Sequence, residues 1–382
     1  MPFAGLAAEL AALDARGLRR HRRVLESAQG AHVVVAGCKF VGFCSNDYLG
    51  LAGDPRLVAA AREGAARYGV GAGASHLILG HTAAHHALEA ALAQFVRLPR
   101  ALLFSTGYLA NLGIVTALAG REDVVFADKL NHASLNDAVL LSRAAFKRYA
   151  HGDFAALEKL LVASQARRKL VVSDAVFSMD GDIAPVPEIL RLCERYDAWL
   201  VLDDAHGFGV LGATGAGVLQ HCGAASERIV YMATLGKAAG VFGAFVAGEP
   251  ALIEILVQRA RPYIYTTAVP PLLAHALLTS LQIIAAETGR RERLARLIAR
   301  PKRDVAGLRW RLLPSDTAIQ PLMIVANDEA VRVAEQLAQR GLLVPAIRPP
   351  TVPPGSARLR ISLSAAHREQ DVAQLASALN EI

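Results

Sequence analysis

Lysine is scarce in this chain of 382 residues: seven lysines stand against 34 arginines. A generic lysine-rich surface is thereby excluded, and each lysine becomes informative. Cysteine is scarcer still. Cys38, Cys44, Cys193 and Cys222 show no C-x-x-C spacing and no metal-ligand rhythm, which excludes a disulfide framework, a zinc ribbon and a dithiol redox motif. They read as buried thiols of a reducing compartment, so a cytoplasmic protein without a structural metal is expected. Charge is limited to 20% of residues, and the net +7 comes from arginines spread along the chain. No run is long enough for a nucleic-acid tail, so no nucleic-acid partner is expected, whereas acidic small molecules suit the surface. Long hydrophobic runs are also missing. The charge-free stretch 101–120 contains Ser105, Thr106, Gly107, Tyr108 and Asn111. The stretch 264–286 is split by Pro270-Pro271 and carries His275. Neither reads as a membrane span, and the first residues lack a basic-then-apolar leader pattern.

What is present is a chain 53% hydrophobic, long enough for two domains, with glycine and proline scattered. Residues 1–28 are Arg-rich, and Leu6, Leu10, Leu13 and Leu18 recur near helical spacing. Short strand-like runs follow in 29–43. From residue 46 onward apolar runs alternate with helical stretches, with strands expected at 101–104, 124–127, 170–173, 200–202, 229–232 and 242–246. Helical patterns fall at 154–164 and 186–195. Short apolar strands between helices predict an α/β fold, its mainly parallel sheet covered on both faces. A charged helical stretch at 287–308 marks a change of composition. Strand patterns at 318–325, 342–347 and 358–362, with a helix at 329–340 and another at the end, predict a smaller α+β domain. The expected division is an N-terminal helix with short strands (1–45), a large domain (46–286) and a small C-terminal domain (287–382).

In an open parallel sheet, functional groups gather beyond the carboxyl ends of the strands. Here the apolar runs end in Ser105-Thr106-Gly107-Tyr108, in Asn131-His132-Ala133-Ser134, in Phe177-Ser178-Met179-Asp180-Gly181-Asp182 and in Asp203-Asp204-Ala205-His206-Gly207. A further run leads into Thr234-Leu235-Gly236-Lys237. The first of these opens a helix, whose free N–H groups and positive dipole end suit a phosphate, although an ordinary capping turn has the same sequence. An aspartate directly after a strand can bind a cationic ring nitrogen, and a histidine three residues on can reach the same ligand. Lys237, between small residues at a strand end, offers an amine for a Schiff base to an aldehyde cofactor. Two histidines, an aspartate and a lysine, each at a strand end, point to one shared ligand. The Gly-rich 69–75 segment is not a dinucleotide fingerprint: His76 fills the third glycine's place, and a helical stretch rather than a strand precedes it.

These segments, together with Ser45-Asn46-Asp47-Tyr48-Leu49-Gly50-Leu51, resemble the α-oxoamine synthases, pyridoxal-phosphate (PLP) enzymes of fold type I, nearly from end to end. The resemblance implies a PLP-dependent acyltransferase in which Lys237 holds the cofactor and later moves protons. Asp203 would pair with the ring nitrogen, His132 would stack on the ring, and His206 with Ser178 would bind its 3′-oxygen. Gly107, Tyr108 and Thr234 would hold the phosphate, with Thr266 reaching the phosphate of a neighbouring subunit in a homodimer with shared sites. Asn46 and Arg360 would grip the amino-acid carboxylate, and Arg23 and Thr351 would lie near the acyl substrate. The segment Ala346-Ile347-Arg348-Pro349-Pro350-Thr351-Val352-Pro353, followed by Ala357-Arg358-Leu359-Arg360, is similar to the member that joins L-alanine to a pimeloyl thioester in biotin biosynthesis. The acyl carrier is either coenzyme A or an acyl-carrier protein. Other members use glycine or serine: glycine C-acetyltransferases, 5-aminolevulinate synthases and serine palmitoyltransferases. Two positions depart from the family pattern, Asp174 where glutamate is usual and Phe208 where a small or polar residue is usual.

Overall fold

The computed structural model of the protein describes residues 2–300 and 308–382. The chain divides into two compact units. One comprises Leu51–Ser178 and Ile183–Arg291, the other Met1–Gly50, Met179–Asp182 and Glu292–Ile382. In chain order the strands begin with β1 (His32–Val35) and β2 (Cys38–Gly42). Then follow β3 (Arg100–Phe104), β4 (Val124–Asp128), β5 (Ala145–Tyr149), β6 (Lys169–Asp174), β7 (Trp199–Asp203), β8 (Ile229–Thr234) and β9 (Ala244–Gly248). The last are β10 (Arg311–Leu312), β11 (Ile319–Val325), β12 (Leu342–Leu343), β13 (Ala346–Ile347) and β14 (Ala357–Ser362).

The larger unit is built on a seven-stranded sheet in the order β3-β9-β8-β7-β6-β4-β5. Strands β4 to β8 pair in parallel. Strand β4 is buried throughout, and β6, β7 and β8 are buried except at one end residue each, as helices on both faces require. Strand β9 runs antiparallel to β8 and to β3. The link 235–243 is shorter than the dozen or so residues a parallel crossover needs, so the chain returns as a hairpin. Gly243, with φ +105, ends that turn and delays the strand expected from 242 until Ala244. The core gathers apolar residues of the sheet, such as Leu102, Val172, Val201 and Val246, against Ile114, Leu135 and Leu256 of the helices. Phe208 is buried apart from this cluster, with ring centroids 5.7 Å from Phe95 and 5.3 Å from Phe245. Edge strand β5 has no counterpart among the expected strands. Its sequence, Ala-Phe-Lys-Arg-Tyr, alternates with charges because one side meets water.

The other unit holds a three-stranded sheet, β1-β2-β12, and a four-stranded sheet, β10-β11-β14-β13. The N-terminal residues do not stand alone: β2 pairs in parallel with β12, Val41 opposite Leu342. The segment after β2 is tied to the C-terminal region, because Ser362 N–H donates to Phe43 O (2.9 Å) and Ala365 N–H to Tyr48 O (2.8 Å). At Gly50, with φ +66, an added Cβ would lie 2.9 Å from Ala366 Cβ, which explains the glycine.

Three expectations are corrected. The leading helix covers only Ala4–Ala15 and buries no residue, so the leucine spacing marks no packed face. Gly17, at φ +61, stands just beyond its end. Of the cysteines only Cys193 is buried; Cys38 and Cys44 are exposed and Cys222 is intermediate, all four as free thiols. Of the charged stretch 287–308, Thr288–Ala299 is helical, and 301–307 lie outside the described residues. Among the described residues no single helix is long and apolar enough to cross a membrane.

Candidate active site

Parallel pairing brings the carboxyl ends of β4, β6, β7 and β8 to one edge of the larger unit's sheet, with Asp174 opposite Asp203 and Asp203 opposite Met232. The turns beyond these ends enclose a cavity of about 190 Å³. Gly107, Tyr108, His132, Ser178, Asp203, His206, Thr234 and Lys237 all line it, as do Ser134 and Asp174. Thr266 does not line it.

Each side chain is held by a neighbour. Asp203 is buried and accepts two hydrogen bonds, from Ala205 N–H at Oδ1 (3.0 Å) and from Asn111 Nδ2 at Oδ2 (2.7 Å). Asn111 lies on the helix Gly107–Leu118, and its Nδ2 also donates to Ser134 Oγ (2.9 Å). His132 is the N-cap of the helix Ala133–Ser142: its Nδ1 accepts from Ser134 N–H (3.3 Å), and Ser134 Oγ lies 2.7 Å from the same atom. This fixes Nδ1 as an acceptor and leaves the ring standing as a wall of the cavity. Removal from water pushes the His132 imidazole below its ordinary pKa; Asp203 opposes the shift and the charge of Lys237 adds to it. Lys237 Nζ lies 2.8 Å from His206 Nε2, which places an amine and an imidazole in proton-transfer contact.

At the other end of the cavity, Thr106 caps the helix Gly107–Leu118 by accepting from Leu109 N–H (3.2 Å). The N–H groups of Gly107 and Tyr108 are in the first turn, where no intrahelical acceptor exists. The Thr234 hydroxyl donates to Gly243 O (3.0 Å) and accepts from Gly236 N–H (3.3 Å), so a phosphate there competes with Gly243 for its proton. Tyr108 OH bonds the Asp137 carboxylate, which raises its pKa.

Asn111 and Ser134 escaped the sequence reading as site residues. The available signal was one amide inside the apolar run Gly-Tyr-Leu-Ala-Asn-Leu-Gly-Ile-Val, fully buried in the fold. Asp174 carries more than a shortened side chain. Its carboxyl accepts from His132 N–H (3.1 Å at Oδ2), and its own N–H donates to Asn131 Oδ1 (3.1 Å). Burial, and secondarily the Asp203 carboxylate, push Asp174 well above the usual carboxylate range. A carboxyl with a raised folded-state pKa binds its proton more tightly in the native chain. It therefore costs stability as pH climbs from its ordinary value of 3.8 toward the raised one. Asp174→Asn keeps an oxygen for the His132 N–H and removes this titration. Its urea midpoint should decline less between about pH 4 and about pH 8 than that of the parent, and parallel declines would show that this carboxyl titrates normally.

In the smaller unit, Arg360 Nη1 donates to Asn46 Oδ1 (3.2 Å) and to Ser362 Oγ (2.7 Å), and Tyr48 OH donates to Asn46 Oδ1 (3.1 Å). Arg23 and Thr351 line a cavity of about 710 Å³ in the same unit, together with Arg19, Arg20 and Arg348.

The cavity of the larger unit fits a flat phosphorylated pyridine aldehyde in its donor set. A buried carboxylate suits the ring nitrogen, an imidazole wall the ring face, a lysine amine the aldehyde, and a helix N-terminus the phosphate. The comparisons agree. The family model "Aminotransferase class I and II" matches residues 39–379. The 8-amino-7-oxononanoate synthase of Nitrosospira multiformis is 64% identical over 99% of this chain and 96% of its own. That of Methylobacillus flagellatus is 61% identical over 99% and 95%. A serine palmitoyltransferase of Sphingomonas wittichii superposes with a TM-score of 0.93 at 31% identity, covering 100% of this chain and 96% of its own. The 8-amino-7-oxononanoate synthase of Francisella tularensis superposes at 0.77 with 29% identity, over 90% and 97%.

The chain belongs to the class I and II aminotransferase family, the fold-type-I enzymes that work with PLP. Within that family it groups with the 8-amino-7-oxononanoate synthases. Backbone similarity extends across the family, and the step from 31% to 64% identity separates its members.

Proposed function

We propose that this enzyme condenses L-alanine with a pimeloyl thioester, releasing CO2 and the carrier thiol, to form 8-amino-7-oxononanoate for biotin synthesis. The observation that carries the chemistry is the meeting of Lys237, His206 and Asp203 in one cavity. The choice of member rests on 64% identity over nearly both full lengths.

Bound in the cavity, PLP supplies a conjugated electron sink for the electron pair left at the amino acid's Cα. The Lys237 amine would hold the cofactor's aldehyde group and, when free, would take the Cα proton and later return one. His206, 2.8 Å away, tunes that amine and takes part in its proton traffic. Asp203 holds a proton on the ring nitrogen, and Asn111 and the Ala205 N–H keep the carboxylate aimed. The His132 ring, a wall of the cavity, would support the cofactor ring and help orient the reacting groups. Arg360, aimed by Asn46, grips the substrate carboxylate through its planar fork, which orients the bond that leaves as CO2. Arg23 and Thr351 accept the acyl thioester in their cavity, whose arginines suit an acidic carrier, whether coenzyme A or an acyl-carrier protein. Thr266, by the family resemblance, serves the phosphate of a second subunit, and the working enzyme is a homodimer. Four free thiols agree with a cytoplasmic setting.

The test is a product assay. L-Alanine, glycine and L-serine are each offered with pimeloyl, acetyl, succinyl and palmitoyl thioesters. Alanine with the pimeloyl donor should exceed every other pair in kcat/KM by at least about 100-fold, near what a fitted pocket supplies. A preference for serine with palmitoyl would move the enzyme to the serine palmitoyltransferases.

A further inference from the structure

A second cluster of chemistry-bearing groups lies in the larger unit, among residues that take no part in the mechanism above. His76 opens a single π turn (His76–Gly80), and His81 follows it. His85 sits in the first turn of the helix Ala83–Val96. Each imidazole offers one nitrogen, and the three lie within 4.8 Å of one another. Packing accounts for His85, whose Nδ1 accepts from Thr82 N–H (3.0 Å), closing a capping box, and whose Nε2 lies 2.6 Å from Val269 O, and in part for His76, which stacks on the Tyr263 ring at 4.9 Å between centroids. His76 Nδ1 and His81 Nδ1 face each other at 3.1 Å, joined by one N–H···N hydrogen bond whose place an ion could take. A tetrahedral ion bonded at about 2.0–2.1 Å sets its nitrogen ligands about 3.3 Å apart. The pair is therefore spaced almost as one ion would space it.

We propose that His76, His81 and His85 form a binding site for a divalent transition-metal ion of the zinc type. Metal-bound histidines have their second nitrogen held by a carboxylate or a carbonyl; a carbonyl bonds His85, and a carboxylate lies near His81 beyond direct hydrogen-bond reach. Glu89 Oε2 lies 3.9 Å from His81 Nε2, and Val269 O holds His85 Nε2. The tautomer set by Val269 leaves His85 Nδ1 a lone pair, which now accepts from Thr82 and would have to leave it when the ion binds. Imidazole must be neutral to ligate. Burial lowers the pKa of all three rings, that of His76 to about 3, and the neighbouring imidazoles lower His76 and His81 further. All-nitrogen ligation selects zinc, copper, nickel or cobalt over magnesium or calcium. A cavity of about 430 Å³ is lined by His76, His81 and Glu89, which gives an ion a way in from solvent. The ion would clamp the π turn to the helix Ala83–Val96 and, through His85, to the loop carrying Val269.

The experiment uses PLP-loaded enzyme carrying Cys38→Ser and Cys44→Ser, so that exposed thiols do not compete. Equilibrium dialysis against chelator-buffered Zn2+ should give one ion per chain, and Zn2+ should raise the thermal midpoint. His81→Gln, at a half-buried position, and His76→Asn should each weaken binding by 100-fold or more and abolish the thermal shift. Glu89→Gln should weaken it by about 10-fold, the usual scale for a partner behind a ligand. Cofactor absorbance and circular dichroism report whether each variant is folded. Less than stoichiometric binding by the parent at micromolar free Zn2+ overturns the proposal, as does unaltered binding in folded His81→Gln.

Discussion

Replacing Lys237 with alanine is expected to lower kcat/KM on the order of 10^4-fold or more, the scale of removing a group that works as one unit with its neighbours. It should also erase the visible absorbance of lysine-linked cofactor. The reasoning is geometric before it is chemical. Lys237 lies beyond the end of β8 in the hairpin to β9, and its Nζ reaches His206 at 2.8 Å inside the cavity that also contains Asp203. Among the described residues no second lysine lines that cavity, so the proton at Cα would lose its acceptor along with the covalent anchor. Lys237→Arg separates chemistry from charge. Arginine keeps a cation near His206 but stays protonated and cannot act as nucleophile or base, so it should restore fold stability without turnover. Borohydride reduction followed by peptide mapping should mark residue 237 in the parent and nothing in either variant. Substantial turnover by Lys237→Ala, with the absorbance retained, would place the reactive amine elsewhere.

Much of this site was legible because the chemistry lies at strand ends, where an apolar run gives way to polar residues within one or two positions. Lys237, Asp203, His132 and His206 could be read that way, and the parallel register then brings them together. What escaped was set by contacts between distant segments. Asn111 is one amide on an apolar helix until the helix packs beside β7, where its Nδ2 meets Asp203. Asp174 read as a departure from a family pattern, yet it sits beside Asp203 in the sheet and receives the His132 N–H. Phe208, the other departure, is a core ring between Phe95 and Phe245 and does not line the cavity. Edge strand β5 was missed because half-exposed strands lose the apolar run that marks central ones. The leucines of the first helix misled for the opposite reason: periodicity records a stripe, and only packing decides whether the stripe is buried.

Asp203→Asn should separate cofactor binding from catalysis. The variant is expected to fold and to hold PLP on Lys237, while kcat falls by roughly 10^2- to 10^3-fold, the range found when one preorganised electrostatic partner is removed. Structural tolerance follows from the hydrogen bonds. The new side-chain oxygen still accepts from Ala205 N–H, now at 3.0 Å to Oδ1. The opposite bond, from Asn111 Nδ2 to Oδ2 at 2.7 Å, would set two NH2 groups face to face. Asn111 can relieve this by an amide flip, because its own Oδ1 has no partner and is buried. Turned inward, that oxygen accepts from the new amide, while Ser134 Oγ, whose one proton goes to His132 Nδ1, loses the Asn111 donor. What no flip restores is a negative charge beside the ring nitrogen. Without it the nitrogen gives up its proton, and the ring accepts the Cα electron pair far less readily. The loss should therefore appear in kcat with little change in cofactor affinity, and a solvent-visible slowing of Cα proton exchange from labelled L-alanine should accompany it. Asn111→Leu, which removes the aiming donor but keeps the charge, should show a smaller loss in the same direction. Steady-state rates within a few-fold of the parent for Asp203→Asn would mean that the electron sink does not depend on this carboxylate.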